Sequence, residues 1–291
     1  MKKFGRSQKI IIISLVAVAF SFILTSSMQE NFSENETYSY DGPPRAAIID
    51  QLHDDIPSVY FQDKAAELLE TGGYEVELFT TKELTVDFYK KLPSMNYELI
   101  VFRTHAIGND KPDDSLKEPV RLFTGEKYRD DKYITEQLSG QIGKGAPYMS
   151  SVLDVSVDLS ELNSSNNTSV EFDVTQSSEV VDNSNPYFLI GSRYVDELME
   201  GRFHDTILVL GGCSTLSSPT LANSLIKKGA SSVIGWDALV GSVNNDRVML
   251  AFLENYLIND MEIEDSVFAA REQMYLGSEY IANFSYYDGS L

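Results

Sequence analysis

Short apolar runs alternate with helix-periodic segments along most of this chain, and no other feature narrows its fold as far. Residues 45–52, 74–80, 97–103, 206–211 and 232–236 are each apolar and of strand length. Between them lie segments with helical spacing of apolar residues. In residues 59–71, for example, Phe61, Ala65, Leu68 and Leu69 share one face and Gly72-Gly73 stops the helix. Further helices are expected over 86–92, 192–200, 219–228, 246–257 and 263–274. Strands that alternate with helices need crossover connections. The expected fold class is therefore α/β, a mainly parallel sheet with helices on both faces.

The pattern loosens between residues 106 and 185. Lys111-Pro112-Asp113-Asp114 and Arg129-Asp130-Asp131-Lys132 read as exposed loops, and Gly140, Gly143 and Gly145 punctuate another. Residues 152–159 and 170–174 fit an antiparallel ribbon around the polar tip at 163–169. A β-rich insertion thus divides the α/β domain, which is expected to span 45–291.

Ahead of that domain, Lys2, Lys3, Arg6 and Lys9 precede fifteen residues, Ile10 to Leu24, interrupted only by Ser14 and Ser21. That is the make-up of a signal peptide, cleaved or retained as a membrane anchor, over residues 1–27. Residues 28–44 are polar, end in Gly42-Pro43-Pro44, and read as a linker. Basic residues before the apolar stretch place the rest of the chain outside the cell, secreted or held on the outer face of the membrane. Six N-x-S/T sequons (Asn31, Asn35, Asn163, Asn166, Asn167, Asn283) accord with that location.

Charge excludes one class of partner. The 291 residues carry 23 basic and 44 acidic groups, a net charge of −21. Such a surface repels phosphate backbones, so no nucleic-acid partner is expected. The single cysteine, Cys213, excludes an internal disulfide and a cysteine zinc site, and the three histidines leave little for a histidine metal centre.

Two of these few residues fall where α/β sheets place their sites, at the carboxyl ends of strands. His105 lies two positions past one strand and Cys213 two past another. A thiol attacks as the thiolate, and an imidazole beside it takes the proton. The amide-rich start of the helix after Cys213 is expected to lower the thiol pKa further. Gly211 and Gly212 let a substrate approach, and backbone N–H groups around Cys213, Gly212 and Gly108 are candidate oxyanion donors. His204 precedes the cysteine strand and so lies at the opposite edge, roughly 20 Å away. His53 follows the first strand on the correct edge and stays open as an alternative histidine.

No histidine follows Cys213, which excludes papain-like and α/β-hydrolase chain orders. A strand ending in His, then a strand ending in Gly-Cys-Ser, resembles the caspase-like cysteine peptidases of clan CD. The segment Lys227-Lys228-Gly229-Ala230-Ser231-Ser232-Val233-Ile234-Gly235-Trp236 is similar to the passage after the nucleophile in the gingipain, clostripain and CHAT branches. The resemblance covers residues 45 to 277. It implies a caspase-like fold, Cys213 as nucleophile and His105 as general acid/base. It also implies a peptide or protein substrate. Asp237 stands near the acidic pocket residue of relatives that cleave after basic residues, and Trp236 beside it is a candidate pocket wall. An alternative role for Asp237 is that of a loop or helix-capping residue.

No cofactor is expected. The acid clusters Asn109-Asp110, Asp113-Asp114 and Asp130-Asp131 leave Ca²⁺ open, but none has the spacing of a calcium loop. Two other functions fit the same chain. One is a caspase-like surface module that binds a partner through the insertion without catalysis. The other is an α/β ligand-binding domain that uses the same crevice.

Overall fold

The computed structural model describes residues 42–108, 119–147, 185–274 and 282–289. The segment expected to direct export, most of the expected linker, the ribbon expected at 152–174 and the acid pairs at 109–114 lie outside these residues. Among the described residues, no helix is long and apolar enough to cross a membrane.

The fold is α/β, with a mixed sheet of mostly parallel strands flanked by helices. Six strands form the main sheet: β1 (Arg45–Asp50), β2 (Glu75–Thr80), β3 (Leu99–Arg103), β8 (Thr206–Gly211), β9 (Ala230–Trp236) and β10 (Phe284–Asp288). Their order is β10-β9-β8-β3-β1-β2, and every pairing is parallel except that of β10 with β9. The central strands β3 and β8 are buried at every position, as their unbroken apolar runs require of a sheet covered on both faces.

Alternation along these strands separates two cores. Ala47, Ile49, Ile100, Phe102, Leu208 and Leu210 face α2 (Val86–Lys91), α4 (Ser192–Glu197) and α5 (Pro219–Lys227). Ala46, Ile48, Leu99, Val101, Ile207 and Val209 face α1 (Val59–Thr71), α6 (Ser242–Leu257) and α7 (Ile263–Arg271). Ser58 caps α1 by accepting from the Phe61 N–H, and Thr85 caps α2 through the Phe88 N–H.

The insertion forms a second sheet. Strands β4 (Ala106–Ile107), β5 (Arg121–Lys127), β6 (Ile142–Gly145) and β7 (Tyr187–Gly191) pair antiparallel in the order β4-β5-β7-β6, with the short helix α3 (Ile134–Leu138) before β6. The glycine-marked stretch expected as a loop is strand β6. A Cβ at Gly143 would meet the Arg121 guanidinium and one at Gly145 the Leu189 side chain, so these glycines mark close packing. Strand β7 lies past the boundary expected at residue 185. One face of this sheet (Leu122, Ile142, Phe188, Ile190) joins the core on the α2/α4/α5 side, and the other carries Phe123, Tyr187 and Leu189.

A buried ion network ties the carboxyl ends of β1 and β3 to α6. Arg103, the last residue of β3, is 1% exposed. Its Nε donates to Asp246 Oδ1 at 2.8 Å, and Nη1 donates to Asp50 Oδ1 at 3.1 Å and the Ile56 carbonyl at 2.7 Å. Burial pulls the guanidinium pKa down, but Asp246 and Asp50 outweigh that and hold it above its ordinary value. Burial pushes the Asp246 carboxyl up against the opposing pull of Arg103.

Removing the cation strands buried carboxylates, so Arg103→Leu is expected to cost about 3–5 kcal/mol in urea denaturation. In that variant Asp246 loses the charge that opposes its upward shift. A carboxyl raised in the folded state loses stability as pH rises through the raised value, so the deficit should be larger at pH 8 than at pH 5.

Candidate active site

Strands β3 and β8 are hydrogen-bonded neighbours whose last rung pairs Arg103 with Gly211. His105 and Cys213 therefore each stand two residues past the same rung, on strands spaced ~4.8 Å apart. Beyond that rung the two tails remain together. Thr104 N–H donates to the Gly211 carbonyl at 2.9 Å. A Cβ on Gly212 would lie 2.4 Å from the Thr104 carbonyl oxygen, and one on Gly108 would lie 2.2 Å from Ser214 Cβ. Glycine at 108 and 212 is what permits this approach. The Gly212 N–H turns back to the Leu210 carbonyl at 3.1 Å, so its amide is engaged within its own turn.

His105 is fixed from three sides. Its backbone N–H donates to Gln51 Oε1 at 2.9 Å, and its carbonyl accepts from Phe123 N–H at 3.0 Å. The imidazole meets the Phe123 ring edge-on at 5.7 Å. Nε2 lies 3.9 Å from Asp55 Oδ2, beyond hydrogen-bond length. Both side chains are partly exposed, at 15% for His105 and 29% for Asp55.

Cys213 is half-buried, and its thiol donates to the Val240 carbonyl at 3.4 Å. Ser214 after it is fully buried and adopts a left-handed φ of 54°, a conformation unfavourable for a side chain with a Cβ. Two hydrogen bonds hold that turn against the end of β9: Ser214 N–H to the Ala238 carbonyl at 2.8 Å and Leu216 N–H to the Trp236 carbonyl at 2.7 Å. The helix expected to point its amides at Cys213 begins only at Pro219, capped by Ser218. A turn run separates them, and a helix dipole fades within its first turn, so α5 does not act directly on the thiol.

The remaining expected residues fall elsewhere. Trp236 is fully buried, with its indole N–H donated to Asn245 Oδ1 at 2.9 Å and its ring against Phe284, so it is part of the core. Asp237 accepts from Asn283 N–H at 2.7 Å and from Asn283 Nδ2 at 2.9 Å, clasping the end of β9 to the start of β10. His53 stands at the carboxyl end of β1 with Nδ1 2.8 Å from Gln62 Nε2, whose amide also donates to Asp50. His204 is exposed at the amino end of β8, as expected. Asp131 is bridged by Arg129 through two hydrogen bonds, and among the described residues no acidic or histidine cluster is arranged to hold a metal ion.

No protein-family model matches this chain, and no curated protein matches it. Its chemistry rests on its own residues. Sequence reasoning missed Gln51 and Asp55, both on the segment after β1. Their positions past a strand end were legible, but nothing in their spacing tied them to a histidine fifty residues away.

Gly212→Ala should force the β8 tail off Thr104, costing about 1–3 kcal/mol in denaturant unfolding and changing the alkylation rate of Cys213. Asp237→Ala should lower the melting temperature through loss of the Asn283 clasp while leaving that alkylation rate unchanged. A rate that fell with Asp237 would return this residue to the site.

Proposed function

We propose that this chain is an exported or surface-anchored, caspase-like cysteine peptidase that works through Cys213 and His105. The observation that carries the reading is the shared rung: two neighbouring central strands deliver the only thiol and one of three histidines to the same sheet edge. His first and Cys second on such a sheet is the arrangement that the resemblance to clan CD implies. The basic segment and apolar stretch at residues 2–24 support the location outside the cell.

In this mechanism the Cys213 thiol leaves the Val240 carbonyl and gives its proton to His105. The thiolate attacks the carbonyl carbon of a peptide bond, forming the C–S bond of a tetrahedral intermediate. Its oxyanion falls to backbone amides at Cys213 and on the Gly108 side, since the Gly212 amide is occupied. His105 then protonates the leaving amine as the C–N bond breaks, and water hydrolyses the thioester with His105 as base. Asp55 favours the imidazolium that both steps pass through, making the site a dyad backed by a carboxylate. With Asp237 engaged by Asn283, a preference for basic residues loses its main support, and substrate choice is left to other residues of the cleft.

The test is the pH dependence of Cys213 alkylation in the purified chain, which needs no substrate. A thiolate persisting well below the reference pKa of ~8.5, and lost in His105→Ala but kept in His53→Ala, is the expected result. An ordinary thiol indifferent to both histidines would overturn the peptidase and leave a binding module.

A further inference from the structure

We infer that Tyr187 is a positioning residue for His105, acting through Asp55, so that the insertion sheet is built into the catalytic site. This rests on the peptidase reading given above.

Asp55 lies on the segment after β1, and its carboxylate faces groups from two other elements. The Tyr187 hydroxyl of β7 lies 3.5 and 3.3 Å from its two oxygens, and His105 Nε2 lies 3.9 Å away on the tail of β3. Tyr187 is only 3% exposed, while Asp55 has nearly a third of its side chain in solvent. The buried partner therefore sets the position and the exposed one follows. The phenol ring is itself fixed: Phe123 of β5 meets it edge-on at 6.2 Å, and Lys127 Nζ sits 3.5 Å above it. The same Phe123 ring meets His105, and its N–H holds the His105 carbonyl. Strands β5 and β7 thus supply both the wall of the imidazole and the donor that aims its carboxylate.

Burial, followed by the charge of Asp55, pushes the Tyr187 hydroxyl up to about 12. It is therefore a donor throughout the working range. The charged and titratable groups around the pair are Asp54 and Asp55 after β1, Lys127 on β5 and Tyr187 on β7. A carboxylate held beside an imidazole favours its protonated form. Without the phenol, Asp55 is free to turn to solvent and that support weakens.

The test follows the His105 imidazole by NMR titration in the full chain, with the signal assigned by its loss in His105→Ala. Asp55→Asn should lower the His105 titration midpoint. Tyr187→Phe, which keeps the ring and its packing, should lower it in the same direction by a smaller amount, on the order of half a pH unit. That shift corresponds to about a threefold fall in imidazolium at pH values above the midpoint. The decisive variant is the double one. Tyr187→Phe added to Asp55→Asn should change nothing further, because Tyr187 acts only through the carboxylate. A purely structural role would lower the thermal midpoint without this non-additivity. An unmoved His105 midpoint in Tyr187→Phe, or effects that add in full, would overturn the inference. The readout does not pass through Cys213. An ordinary thiol would sink the peptidase reading while the histidine titration still decided whether Tyr187 acts on His105.

Discussion

Arg103 holds the ends of three elements in one place, and the geometry of the candidate site depends on it. A guanidinium at 1% exposure would be untenable alone. It persists because Asp50 at the end of β1, Asp246 on α6 and the Ile56 carbonyl all accept from it. Gln62 of α1 supports the same network from Asp50. Burying these charges costs desolvation that a hydrophobic replacement of all three would avoid, so the network contributes position more than net stability. What it positions is chemical. Asp50 precedes Gln51 and Asp55, Arg103 precedes His105, and the loop leading into α6 supplies the Val240 carbonyl that accepts from Cys213.

Above that anchor, each candidate catalytic group is held by a different layer of the molecule. The Cys213 turn is tied to the end of β9 by backbone hydrogen bonds and pays for a left-handed serine to do so. His105 is held on its backbone by Gln51 and on its ring by the insertion sheet. This division gives the insertion a physical role different from that of a cover. Its inner face completes the core beside α2 and α4, and its other face carries Phe123, which walls His105, and Tyr187, which faces Asp55.

Most of the sheet was legible because buried parallel strands are continuous apolar runs. Residues 206–211 and 97–103 needed no partner to be recognised, and the stop of α1 was readable from Gly72-Gly73. Two of the strands that escaped notice, β6 and β10, have weak local signals. Strand β6 is half glycine, and β10 pairs at the sheet edge with only Phe284 fully buried. In both cases the neighbours supply the reason for extension, Arg121 and Leu189 for β6 and Trp236 for β10. Side-chain roles were less legible than elements. Trp236 and Asp237 follow a central strand just as Cys213 does, yet one turns into the core and the other clasps a distant asparagine.

By itself the sequence determined the α/β class, the net charge of −21, the absence of any internal disulfide, and the placement of His105 and Cys213 just past strand ends. These follow from local periodicity and composition, which act over a few residues. Only the tertiary structure decided that the two strands are neighbours in register, that Asp55 rather than a residue near in sequence faces His105, and that the insertion sheet reaches the site. Those facts depend on strand order and on which buried groups find partners. Pairings such as Arg103 with Asp246, 143 residues apart, are satisfied only when the whole chain has closed its core.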